Sequence, residues 1–106
     1  DTPLDWIEPL SGEEKDKEAF VVLIGGESML PAVRPGNYAH VSSRKPPIKD
    51  EMCLIEMHGG EAILKLYSGR DADHVFYEQY NPPLKGKVNL SEFKRIFYVT
   101  AVQFRK

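Results

Sequence analysis

The sequence predicts a mostly β domain of short, mainly antiparallel strands. Three observations carry that expectation. The apolar or alternating segments are short, Gly, Pro and Asn turn signals separate them, and almost no apolar stripe recurs at helical period. At 106 residues the chain can bury one core and is too small for two.

Residues 1–18 are polar and close on the run Glu13-Glu14-Lys15-Asp16-Lys17-Glu18. Ser11 and Glu14 have capping-box spacing, which permits one helical turn, but no apolar stripe follows. These residues read as a solvated polar arm, with Trp6 and Ile7 available to pin it onto a core. Residues 19–106 read as the domain proper. Ala19–Ile24 is an apolar run rich in Val and bounded by Gly25-Gly26, the pattern of a buried strand. Tyr38–Ser42 follows the turn signal Pro35-Gly36-Asn37. Met52–Met57 and residues 62–67 flank His58-Gly59-Gly60-Glu61, a hairpin with Gly-Gly at its tip. Residues 74–79 form a further strand ahead of the breaker Asn81-Pro82-Pro83, and residues 95–104 form a last, longer one.

Fourteen basic residues stand against sixteen acidic ones, a formal charge of -2. That balance supplies no broad positive field for holding phosphates and makes these residues a poor candidate for direct DNA contact. The single Cys53 has no internal partner for a disulfide, which fits a reducing, cytoplasmic home. No apolar run approaches the ~20 residues of a membrane-spanning helix, and no signal-peptide pattern opens the chain. The sequence begins at Asp1 without an initiator Met, so a longer parent is expected.

Two residues carry candidate chemistry. Ser28 lies in Gly25-Gly26-Glu27-Ser28-Met29-Leu30-Pro31, directly after the first strong strand. Glycines allow a sharp exit from a strand, which presents the serine at the sheet edge with backbone N–H groups near it. Taken alone, such a turn also carries serine for the turn's own sake. Lys65 sits in Glu61-Ala62-Ile63-Leu64-Lys65-Leu66-Tyr67. As a strand, this places Ala62, Leu64 and Leu66 on one face and Ile63, Lys65 and Tyr67 on the other. The lysine either snorkels to water or is desolvated. A desolvated lysine loses its proton more readily and can then accept one from a serine hydroxyl.

Gly26-Glu27-Ser28-Met29-Leu30-Pro31, followed by Arg34-Pro35-Gly36-Asn37, resembles the nucleophile signature of LexA-like peptidases, in which Gly-Asp-Ser-Met-x-Pro precedes a Gly-Asp turn. Gly59-Gly60-Glu61-Ala62-Ile63-Leu64-Lys65-Leu66-Tyr67 resembles that family's hairpin and general-base strand, 37 positions (65 − 28) from the serine. Tyr80-Asn81-Pro82 resembles its Asn-Pro turn, and residues 96–102 its closing strand. The resemblance covers about residues 20–106. It implies a LexA/signal-peptidase-like complex β fold, with Ser28 as nucleophile, Lys65 as general base and the backbone N–H groups of Ser28 and Met29 as oxyanion hole. No cofactor or metal is implied.

The resemblance further implies the C-terminal self-cleavage and dimerisation domain of a bacterial or prophage repressor. DNA would be bound only through a missing N-terminal helix-turn-helix, and residues 1–18 would be the remnant of a linker or cleavage region. The expected partners are a second copy of the chain and either the RecA filament of the SOS response or an antirepressor. The final strand, with Phe97, Tyr98 and Phe104, is a candidate dimer edge. Two alternatives stay open: a non-cleaving regulatory domain controlled by a partner, and a UmuD-like polymerase accessory subunit. Signal peptidase shares the chemistry but is disfavoured by the missing membrane anchor.

There are departures from the family pattern. Glu27 and Asn37 stand where Asp is common, and neither Ala-Gly nor Cys-Gly, the usual scissile bonds, occurs in the chain. His40, His58 and His74 lie 18 and 16 positions apart, which matches no local metal spacing. Cys53, between Met52 and Leu54, reads as a buried, inert thiol. Tyr77 and Tyr80 could stack on a ligand, with core packing as the default.

Overall fold

The computed structural model describes residues 4–6 and 19–104. Its elements are β1 (Leu4–Trp6), β2 (Ala19–Ile24), β3 (Tyr38–Ser42), β4 (Met52–Met57), β5 (Ala62–Arg70), β6 (His74–Tyr80), β7 (Pro83–Asn89) and β8 (Phe93–Gln103). All belong to one sheet in the order β1-β2-β3-β8-β4-β5-β6-β7, every neighbouring pair antiparallel. The expected mostly β class therefore holds. The backbone of β1 also comes close to β5, so the sheet curls back on itself and the β6–β7 hairpin projects beyond the closure.

Apolar burial explains the curl. Cys53, Leu54 and Ile55 are consecutive in β4 and all fully buried, so this strand has protein on both faces. Leu54 joins Val22, Ile24, Val41, Leu64, Phe97 and Val99 on one side. Cys53 and Ile55 join Tyr67, Val75, Val88 and Phe93 on the other. The two faces of β5 divide as the alternation predicts: Ala62 and Leu64 pack in the first cluster, Tyr67 and Ile63 in the second.

Three expectations need correction. Leu4–Trp6, within the segment read as a solvated arm, pairs with β2 through Leu4↔Ile24 and Trp6↔Val22; Ile7 and the Ser11–Glu14 spacing lie outside the described residues. β7 begins inside what reads as a breaker, because Asn81 and Pro82 make only the turn of a tight hairpin closed by Tyr80↔Pro83. β7 is an end strand of the sheet, where Pro83 and the exposed Lys85 and Lys87 are tolerated and discourage further pairing. Finally, β8 is not an edge along its whole length. It runs between β3 and β4, and Phe97 is buried against the Phe20 ring in an edge-to-face contact, centroids 5.1 Å apart. Pairing with β4 stops at Cys53↔Tyr98, so beyond Tyr98 the strand pairs with β3 alone.

One irregularity bears on the site. Leu66↔Glu78 and Tyr67↔Tyr77 are followed by Gly69↔Phe76, so Ser68 is an extra residue in β5. Gly69 completes this bulge at φ +123°, a conformation that side-chain-bearing residues rarely adopt.

Leu54→Ala is expected to cost about 2–5 kcal/mol of unfolding free energy, because it opens a cavity between two packed faces. Urea unfolding followed by far-UV circular dichroism checks this. A loss below about 1 kcal/mol would show that β4 is not the centre of the core.

Candidate active site

The serine is placed by a loop whose apolar residues are anchored on either side of it. After β2 ends at Ile24, the chain turns twice. The Leu30 N–H donates to the Glu27 carbonyl (3.1 Å) and the Val33 N–H to the Met29 carbonyl (2.9 Å). Met29 and Val33 are buried in the first cluster, which leaves Ser28 partly exposed above them. The base of the loop is closed by Gly36 N–H to the Ile24 carbonyl (2.7 Å) and Ile24 N–H to the Asn37 carbonyl (2.9 Å). Asn37 is itself buried, and its Oδ1 accepts the Arg34 N–H at 2.9 Å.

Lys65 reaches the site from the middle of β5, opposite Cys53 in β4. It is 7% exposed, so the desolvated reading holds over the snorkelling one. Its Nζ lies 2.9 Å from Ser28 Oγ and 2.7 Å from Gln79 Oε1. Burial lowers the pKa of the amine below its ordinary 10.5, opposed in part by any negative charge on Cys53. The Cys53 thiol is pushed the other way, up to about 12, by its own burial and against the pull of Lys65. It is therefore a neutral thiol, as expected for an inert core cysteine.

The other wall comes from the end of β6. The Ser28 carbonyl accepts two backbone donors, Tyr80 N–H at 3.0 Å and Asn81 N–H at 2.8 Å. Asn81 Nδ2 donates to the Glu27 carbonyl at 3.1 Å. Nucleophile loop and β6 are thus pinned on both sides of Ser28. The Tyr77 ring stands 5.6 Å from Lys65 Nζ and lies across Gly86 of β7, where a Cβ would come within 2.6 Å of it. Tyr77 flanks the lysine, whereas Tyr80 is 40% exposed.

The two sequence-predicted residues thus meet at hydrogen-bond distance. Gln79 was not legible as a neighbour of Lys65, because the bulge at Ser68 decides which β6 residue faces it. The histidines lie elsewhere: His40 bonds Gln103 and His74 sits against Asp71. Among the described residues, no cluster of three His, Cys, Asp or Glu side chains could hold a metal ion, and no helix is long and apolar enough to cross a membrane.

The antiparallel sheet thus brings a serine hydroxyl to a buried lysine amine. The family model described as Peptidase S24-like matches residues 1–94, and the chain belongs to that family. It is also 31% identical over 90 residues to "Repressor protein C" of Rhizobium phage 16-3, an alignment covering 77% of this chain and 34% of the relative. The chain thus spans about a third of that relative's length. No solved structure gives a significant match.

The buried lysine sets a pH dependence of stability. Its folded pKa lies below the unfolded value, so between the two the unfolded chain binds more protons and stability rises with pH. Below the folded pKa the burial penalty acts in full. Wild type is therefore expected to gain stability relative to Lys65→Met as pH climbs from neutrality towards 10.5, and the Cys53 thiol, which loses the pull of Lys65 in the variant, shifts the difference the same way. Urea midpoints across that range check this; parallel curves would mean that Lys65 carries no desolvation penalty.

Proposed function

We propose that this chain is the self-cleavage and dimerisation domain of a bacterial or prophage transcriptional repressor, a Ser–Lys serine peptidase acting on its own polypeptide. The observation that carries this reading is the 2.9 Å contact between Ser28 Oγ and a Lys65 amine that is 7% exposed. An N–H of Lys65 donates to the hydroxyl in the protonated state. Once the amine is neutral, the contact reverses and the Ser28 O–H donates to the nitrogen lone pair.

In the proposed reaction, Lys65 takes the Ser28 proton as Oγ bonds to the carbonyl carbon of a peptide bond. The tetrahedral oxyanion is met by the backbone N–H groups of Ser28 and Met29, neither of which is spent on a backbone carbonyl among the described residues. The Lys65 ammonium then passes its proton to the departing amine as the C–N bond breaks. Water, deprotonated by Lys65, then adds to the acyl carbon, and Lys65 returns that proton to Ser28 Oγ as the ester C–O bond breaks.

The repressor role is supported by family membership and by the likeness to a phage protein named as a repressor. DNA binding then belongs to an N-terminal helix-turn-helix outside these residues, in keeping with the -2 charge here. Dimerisation is supported by the part of β8 beyond Tyr98, which pairs on one side only and ends next to Phe104, 68% exposed. A RecA filament or an antirepressor is the proposed inducing partner.

The test uses the native polypeptide as its gene encodes it, incubated at mildly alkaline pH and followed by intact mass. A single cut is expected whose rate rises with pH as Lys65 loses its proton, and which is lost by at least 100-fold, on the order expected for general-base removal, in Ser28→Ala and Lys65→Ala. A folded wild type that stays intact would sink the peptidase reading and favour a non-cleaving domain switched by a partner.

A further inference from the structure

We propose that Gln79 is a positioning residue for Lys65: its carboxamide, held in one orientation by the turn that follows, takes one lysine N–H and aims the rest of the nitrogen at Ser28 Oγ. The inference rests on the Ser28–Lys65 dyad proposed above and deepens it. Gln79 Oε1 accepts from Lys65 Nζ at 2.7 Å, while its Nε2 donates to the carbonyls of Asn81 (3.3 Å) and Pro82 (3.1 Å). Turning the amide over would set its oxygen against two carbonyl oxygens and its N–H groups against those of the lysine. The acceptor end therefore always faces Lys65.

Two consequences follow for the amine. A neutral amine carries two hydrogens and one lone pair, and fixing one hydrogen on Gln79 restricts where the lone pair points. An ammonium gains more from a carbonyl oxygen than an amine does, so the same contact holds the proton on Lys65 while burial works to remove it.

The surroundings leave Gln79 as the group able to do this. From β4, Lys65 faces the neutral Cys53 thiol; from β6, the Tyr77 ring; from the loop, the Ser28 hydroxyl. Glu78 is next to Gln79 but turns to the other face of the sheet, where Ser68 Oγ donates to it at 3.3 Å. The Glu27 side chain is exposed. Among the described residues, no carboxylate pairs with Lys65.

The experiment measures the rate at which a fluorophosphonate modifies Ser28 of the native polypeptide as its gene encodes it, by intact mass, from pH 6 to about 10.5, with Ser28→Ala as the control for site. Gln79→Met keeps the length of the side chain and removes the acceptor. Its pH midpoint is expected to fall by about one unit and its high-pH plateau by about tenfold. Gln79→Glu puts a carboxylate beside the amine, and its midpoint is expected to rise. Folding is verified from amide NMR spectra, and the Gln79→Met arm decides alone if the carboxylate variant does not fold. A merely structural glutamine would lower stability and leave both midpoints in place. Unmoved midpoints in folded variants, with wild-type Ser28 reactive, overturn the role of Gln79 and leave the dyad standing. A wild-type Ser28 that takes no probe at any pH overturns the dyad, and this proposal with it.

Discussion

The burial of one lysine amine inside the sheet is the constraint around which the structure is arranged. A primary amine held away from water is costly in its charged form and tolerable only where its hydrogens find acceptors. Two are supplied here, the Ser28 hydroxyl from the loop after β2 and the Gln79 carbonyl from the neighbouring strand of the β5–β6 hairpin. β6 must be paired with β5, and the loop after β2 docked beside them, before those acceptors exist. Fold and proposed chemistry are coupled at this point, because the lysine's place in the core and its proposed role as a base depend on the same few contacts.

The serine is positioned by a complementary route. Met29 and Val33 drop into the core and fix the height of the loop, while Tyr80 and Asn81 hold the Ser28 carbonyl and so fix its lateral place. The end of β6 thereby touches both partners: through Gln79 it meets Lys65, and through Tyr80 and Asn81 it meets Ser28. The Ser28–Lys65 separation is set by strand ends and not by a loop free to drift. That is the kind of support a catalytic geometry needs.

Much of this was legible in the sequence. The alternation around Lys65 separated its face from that of Leu64, and the glycines before Ser28 marked the strand exit. Both signals are local, and both were reinforced by the LexA-like motif order. What could not be read was of two kinds. β7 is rich in Pro, Gly and Lys, so its strand character comes from pairing with β6 and not from propensity. Phe97 looked available for an interface because a strand's apolar face does not say which strands will flank it; burial against Phe20 answers that only in three dimensions. Gln79 belonged to the same category, a polar residue at a strand end whose importance depends wholly on cross-strand register.

That register traces back to Ser68. Counting from the tip of the β5–β6 hairpin, where Arg70 pairs with Val75, an uninterrupted ladder would set Tyr80 opposite Lys65. The extra residue moves the frame by one and brings Gln79 there instead. The neighbour of Lys65 is thus chosen by the length of a hairpin arm, a property that insertions and deletions change and point substitutions do not. Within a lineage of such domains, deletion of the single extra residue would exchange an amide for a phenol beside the amine in one evolutionary step, with Ser28 and Lys65 both unchanged.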